Sequence, residues 1–276
     1  MVGEGIKKVR GRRRPGPGCV DVVDACGNAA AAVRSAPATE PVPAPSRQEA
    51  RSMEGKPSKV IIIGDSAFAE IAYEYFTHDS PQQVVAFSVE EAYLKRDRLF
   101  DLPVVPFEQL EHLYDPADHS FFVATVYTQR NALRARLYDE AKRKGFVPTS
   151  YISSRAFVWR NCTIGEHCFI FENNVVQPFV RIGKNVILWS GNHIGHHSTV
   201  KDHCFISSHV VISGFCEVGE RCFMGVNSTV ANNVAIGNNC VVGAGAVVLG
   251  RVPDDQVVVG VWKKREVDQP TSARFR

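Results

Sequence analysis

Five histidines, His193, His196, His197, His203 and His209, lie within 17 residues of one another. An imidazole titrates near neutral pH, so it can take the proton of an attacking amine or alcohol. Attack on a carbonyl by such a nucleophile needs a base of this kind. It would also need donors for the oxyanion that develops, and backbone amides at a strand edge are an expected source. The chain also carries eight cysteines, which invite a disulfide or metal reading until their positions are considered.

The element that must position these groups is a repeat. Stepping by six from Ile152 gives Val158, Ile164, Ile170, Val176, Ile182, Leu188, Ile194, Val200, Ile206, Ile212, Val218, Met224, Val230, Ile236, Val242 and Val248, an unbroken row of aliphatic or Met residues. A strict period of six fits neither a helix nor a hairpin. It fits a parallel β-helix with one inward aliphatic per short strand. A second row, from Ala156, is mostly small, and six of the eight cysteines fall on it: Cys162, Cys168, Cys204, Cys216, Cys222 and Cys240. A thiol is compact and readily buried, so these cysteines are expected as packing rather than chemistry. Glycine often follows the inward residue (Gly165, Gly183, Gly195, Gly219, Gly225, Gly237, Gly243), which suggests corners with unusual backbone angles. Three hexads close one triangular coil.

Ahead of the repeat, residues 58–150 read as a small α/β unit. Lys59 to Ile63 is a buried parallel strand by pattern, Ser66 to Phe76 has helical spacing, and Gln83 to Phe87 and Ser120 to Thr125 are further strands. Asn131 to Lys144 is a helix with Leu133 and Leu137 on one face, ended by Gly145. Alternating strands and helices imply a parallel sheet with a ligand crevice at the strand C-termini. Its first turn, Gly64-Asp-Ser-Ala-Phe-Ala69, only partly matches G-x-G-x-x-G. A plain tight turn and a nucleotide-sugar crevice are both compatible with it.

Residues 1–57 are rich in Ala, Pro, Gly, Arg and Ser without strand or helix period and are expected as a disordered tail, with Met53 as an alternative start. Their Lys7–Arg14 cluster holds much of the net charge of +3 and is expected to be a solvated basic stretch. Residues 263–276 are expected as a C-terminal tail. No apolar run reaches the roughly 18 residues of a membrane span, and no apolar segment follows the basic start as in a signal peptide. A cytoplasmic protein with no membrane or nucleic-acid partner is therefore expected.

Three stretches carry a resemblance: Phe171-Glu-Asn-Asn-Val-Val-Gln-Pro-Phe179, Leu188-Trp-Ser-Gly-Asn-His-Ile-Gly-His-His-Ser198, and Cys204-Phe-Ile-Ser-Ser-His-Val-Val-Ile-Ser-Gly214. With them, residues 58 to 262 resemble the sialic-acid O-acetyltransferase (NeuD/PglD-type) family, which includes N-acetyltransferases of nucleotide-linked amino-dideoxy sugars. The resemblance implies a Rossmann-like domain (58–150) followed by a left-handed β-helix (151–262) in a homotrimer with sites between neighbours. It also implies direct acyl transfer from acetyl-CoA, without a metal, to an amino or hydroxyl group of a sugar.

His196 and His197 follow Ile194-Gly195 and so project outward at a corner, beside Gly214 of the next coil, which is read as leaving room for a thioester. The resemblance assigns His196 as the base. Where relatives carry an acidic neighbour, this chain has His197, which with His193 and His209 is a candidate to orient the base or meet substrate. His203 reads as a solvated corner, and Trp189, following inward Leu188, as an exposed subunit contact or sugar platform. The resemblance further implies acyl-CoA contacts at Phe205, Gly214, Val226 and Ala244, and nucleotide-sugar contacts at Gly64, Asp65, Ser66, Ala67, Phe68 and Ser88. Two rivals are a γ-type carbonic anhydrase, whose G-H-x-x-x-x-H spacing is absent here, and a non-catalytic scaffold β-helix.

Overall fold

The computed structural model describes residues 58–262. The expected tail at 1–57, its basic cluster, the Met53 alternative and the tail at 263–276 lie outside the described residues. The first part is a six-stranded sheet of β1 (Lys59–Ile63), β2 (Gln83–Val89), β3 (Arg98–Leu99), β4 (Leu102–Pro106), β5 (His119–Val123) and β6 (Val147–Pro148), in the order β3-β4-β2-β1-β5-β6. All neighbours are parallel except β3 and β4. The β3–β4 pair was not anticipated, because its few residues show no alternation. Helices α1 (Ala67–Asp79), α2 (Leu110–Leu113) and α3 (Ala132–Arg143) flank the sheet. Gly145 ends α3 with φ of 92°.

The sheet order reverses direction at β1, so the crevice expected of such a fold lies at the ends of β1, β2 and β5. Gly64 is required there: its φ is 125°, and a Cβ would meet the Ala124 carbonyl oxygen at 2.8 Å.

From Tyr151 the chain winds as a left-handed parallel β-helix. Two-residue strands pair with those 18 residues on, as Ile187 with Phe205. They stack into three faces, with strands from Tyr151–Ile152 to Val257–Val258, from Phe157–Val158 to Val261–Trp262, and from Thr163–Ile164 to Ala235–Ile236. The aliphatic row points inward and is buried from Ile170 onward, whereas Ile152 is 43% exposed at the open end of the prism. The six cysteines of the small-residue row are free and largely buried. Their thiols point at backbone carbonyls, as Cys204 at Gly219 (3.0 Å) and Cys216 at Ala231 (3.1 Å). Burial pushes the Cys168 thiol up to about 12, which keeps it protonated and unreactive.

The glycine expectation is corrected. The glycines after the inward residues do not adopt positive φ; they are needed because adjacent coils approach closely. A Cβ on Gly195 would sit 2.5 Å from the Ser213 carbonyl carbon. The left-handed backbone falls two residues later, on the row 167, 173, 179 and onward by six to 245. Apart from Gly191 and Gly245 this row is occupied by Asn, His, Phe and Arg. Asn and His are enriched among non-glycine residues in that conformation.

The three outward faces differ. The first presents Tyr151, Phe169, Ile187 and Phe205, which are buried against Phe68, Phe76 and Phe122 of the α/β part. The third presents Thr163, Arg181, Thr199 and Glu217. The second presents Phe157, Val175, His193, Val211, Thr229, Val247 and Val261, a mostly apolar row that no other element among the described residues covers. No helix among the described residues is long and apolar enough to cross a membrane.

Candidate functional site

The corner between the second and third faces carries His196 and His197, both exposed. His196 Nδ1 lies 3.1 Å from His197 Nδ1. Its ring is laid over Gly214, where a Cβ would meet Cε1 at 2.7 Å and Nε2 at 2.8 Å. Gly214 therefore makes room for the imidazole itself, not for a thioester beside it. The αL residue His197 is held between Phe179 (ring centroids 4.5 Å apart, 25° between planes) and Phe215 (4.8 Å, 17°). Phe215 also meets His196 edge-on at 5.0 Å.

Backbone amides at this corner are already engaged. The amide of His196 donates to Gln177 Oε1 (2.9 Å), that of His197 to the Pro178 carbonyl (3.1 Å) and that of Gly214 to Asn232 Oδ1 (2.9 Å). The expectation that free strand-edge amides would line the oxyanion site is not met at this corner, because neighbouring coils satisfy them.

The corner between the third and first faces lies under α3, and its histidines have a different role. His203 is buried, not solvated as expected, and His167 is fully buried. The Val123 amide donates to His167 Nε2 at 2.8 Å, and His167 Nδ1 lies 2.9 Å from Asn185 Oδ1. Asn185 Nδ2 in turn lies 2.8 Å from His203 Nδ1. With the His167 Nε2 accepting, its proton must sit on Nδ1, so the chain runs in one direction. Burial pulls the His167 imidazole down to about 3 and lowers His203 as well, so both stay neutral. Beside them Arg134, also fully buried, donates through Nη2 to the carbonyls of Asn185 (3.2 Å), His203 (3.0 Å) and Cys204 (3.0 Å). Asn131 Nδ2 donates to the Cys222 carbonyl at 3.1 Å. Sequence reasoning missed His167 and Arg134. Both lie on elements that were recognised, but nothing local indicates that α3 closes over this corner.

The corner between the first and second faces holds His209, Val226 and Ala244, all exposed. The His209 ring folds over Gly191, where a Cβ would meet it at 2.6 Å, and a Cβ on Gly245 would meet nothing within 4 Å. His193 sits on the uncovered second face. Within one chain, then, His196 and Gly214 share one edge of the second face while Val226 and Ala244 share the other.

Burial bears on three of the expected residues. Phe205 is 4% exposed and packs against Tyr127, Trp189 and Phe223, so its side chain is closed to a ligand; the contact that the resemblance implies there is mostly through backbone. Trp189 is half-buried rather than exposed; it packs on Phe171 (4.3 Å) and Phe68 (5.3 Å) between the two parts of the chain. Phe68, expected at the nucleotide site, is buried in that same seam. The rest of the first turn remains accessible. Ser66 and Ala67 are exposed at the start of α1, Asp65 pairs with Arg96 at 3.4 Å, and Ser88 is buried at the end of β2 with no partner for its hydroxyl among the described residues. No group of three His, Cys, Asp or Glu suited to a metal ion occurs among the described residues.

The bacterial transferase hexapeptide (six repeats) model matches residues 161–196 and 179–214, and the hexapeptide repeat of succinyl-transferase model matches 217–249. Among solved structures, the chain is similar to a histidine-to-asparagine variant of perosamine N-acetyltransferase from Caulobacter crescentus in complex with CoA and GDP-perosamine. Identity is 26%, over 72% of this chain and 92% of that chain, with a TM-score of 0.66. The PerB structure from the same organism, with the same two ligands, matches at 27% identity over 72% and 92%, with a TM-score of 0.65. The acetyltransferase domain of PglB from Neisseria gonorrhoeae shares the fold, with 21% identity over 72% and 95% and a TM-score of 0.65. No curated protein matches the chain in sequence.

Proposed function

We propose that this chain, whose repeats and two-part fold fit the NeuD/PglD-type sugar acetyltransferases, moves an acetyl group from acetyl-CoA to the amino group of a nucleotide-linked sugar, with His196 as base. The observation that carries this reading is the His196 imidazole, exposed at a coil corner, laid over Gly214 and tied at Nδ1 to His197. The choice of an amino acceptor and of a nucleotide-linked sugar follows the Caulobacter structures, which hold CoA and GDP-perosamine. In the reaction the amine nitrogen attacks the thioester carbonyl, forming the C–N bond as the C–S bond breaks. His196 Nε2 takes the amine proton and returns it to the departing thiolate, so the products are the N-acetyl sugar and CoA thiol.

The exposed first-to-second corner suits the cofactor: Val226 and Ala244 are small and open, and the space above Gly245 is free. This corner and the His196 corner lie on opposite edges of the second face. Packing copies of the chain through that apolar face would bring the cofactor edge of one copy beside the histidine edge of the next, which supports the homotrimer. The sugar nucleotide would approach the α/β crevice through Gly64, Asp65, Ser66, Ala67 and Ser88.

The test is CoA release with acetyl-CoA and a panel of nucleotide-linked amino sugars. One acceptor should give turnover that His196→Ala lowers by about 100- to 10,000-fold. Turnover by that variant within a few-fold of the unaltered protein would sink the base assignment, and absence of turnover or of acetyl-CoA binding across the panel would favour the scaffold reading.

A further inference from the structure

We infer that His197 is a positioning residue: clamped between Phe179 and Phe215, it accepts the Nδ1–H of His196 through its own Nδ1 and so fixes the tautomer that leaves His196 Nε2 free to act as base. This rests on the reading of His196 given above. Two facing Nδ1 atoms at 3.1 Å hydrogen-bond only if one carries the proton and the other does not. Once His196 has taken a proton at Nε2, its Nδ1 necessarily carries one too. His196 as donor is thus the one arrangement that serves both before and after proton uptake, with no tautomer exchange during the reaction. His197 then bears its proton on Nε2.

The surroundings hold His197 in this role. Its backbone is left-handed (φ 59°), as are those of Phe179 and Phe215 one coil away on either side, so the three rings form a column along the corner. The two stackings leave the ring little freedom to turn and offer no competing donor or acceptor to its Nδ1. The groups in contact with the pair His196 and His197 are Gln177, Pro178, Gly214 and the two phenylalanines, none of which is charged; Arg160 lies on the same corner two coils before His196. Among the described residues neither histidine forms an ion pair, and the contact to His196 is the polar contact of the His197 ring. A neutral acceptor orients a base without the electrostatic gain that a carboxylate would add to the imidazolium.

The left-handed backbone makes the test clean, because Gly, Asn and Asp all tolerate that conformation. Asn Oδ1 and Asp Oδ1 occupy the place of His Nδ1, whereas Gly removes the acceptor. The kcat, KM and pH profiles of the full chain are measured for His197→Gly, His197→Asn and His197→Asp, with thermal unfolding as a check on folding and His196→Ala as control. His197→Gly should lower kcat by about 10- to 100-fold with the KM for acetyl-CoA little changed. His197→Asn should recover most of that loss. His197→Asp should recover it and also move the acidic limb of the kcat/KM profile to higher pH, because a carboxylate favours the imidazolium and the base must be neutral to work.

Equal kcat for all three variants, with superimposable pH profiles, would overturn the proposal. If His196→Ala is inactive in that case, the base reading survives and only the role of His197 falls. If His196→Ala is itself active, both fall.

Discussion

Two corners of the same β-helix carry histidine on the same left-handed row, and they have opposite fates. At the corner under α3, His167 and His203 are buried, neutral and spent on hydrogen bonds that join β5 to the coils. At the second-to-third corner, His197 has the same backbone angle but stays exposed beside His196. Backbone geometry explains why histidine is tolerated at both. Only the covering element separates a structural imidazole from one available to a substrate. Density of histidine in a sequence is therefore a poor measure of chemistry: of the five clustered at 193–209, three lie on the left-handed row and one of those is buried.

The largest effects should break this contrast. His196→Ala at the open corner should cost about 100- to 10,000-fold in turnover and leave the thermal midpoint nearly unchanged. His167→Ala should do the reverse. It strands the Val123 amide and the Asn185 side chain, so unfolding in urea should show a loss of about 2–4 kcal/mol, with whatever activity remains at moderate temperature little altered. A stability change smaller than 1 kcal/mol in that variant would show that the buried corner is not held by this chain.

A smaller effect sharpens the comparison through pH. The folded His167 titrates at about 3, well below the value near 6.5 of an unfolded chain. Below 6.5 the unfolded state binds a proton that the folded state refuses. Stability is thus full above pH 6.5 and falls as the pH drops from there toward 3, by about 2 kcal/mol between 6.5 and 5. His167→Asn should flatten that slope when unfolding is followed at several pH values; an unchanged slope would place the titrating group elsewhere. The smallest effect belongs to Gly214→Ala. Its Cβ would push the His196 ring by a fraction of an ångström. A drop of several-fold in kcat, without loss of fold, is expected from a misplacement of that size.

Much of the architecture was legible. The inward aliphatic row and the cysteine row followed from the period of six, and the strands at 59–63 and 83–87, the second of which runs on to Val89, from their apolar runs. The outward exposure of His196 and His197 and their closeness to Gly214 were legible for the same reason, since position in the hexad sets direction. Trp189 was misread because outward direction was taken for exposure. It points outward from the prism into a seam that another part of the chain closes, and Phe205 and Phe68, which the resemblance placed at ligand sites, lie in the same seam. The meaning of the glycines was likewise misplaced by two residues, since close coil packing and left-handed φ are separate demands and only the second concerns the corner itself.

The sequence by itself determined the coil: a period of six, repeated without a slip, forces each residue inward, outward or onto a corner, because these are local properties of short strands and turns. It could not determine which of the three chemically similar corners would meet water. That was decided by the docking of the α/β part on the first face, with Arg134 and Asn131 of α3 and its approach reaching carbonyls 51 to 91 residues away in the chain. Such contacts leave no periodic trace, since each depends on one side chain meeting one distant carbonyl. They close the corner at His167 and His203 and leave the other two, at His196 and His197 and at His209, Val226 and Ala244, open to solvent.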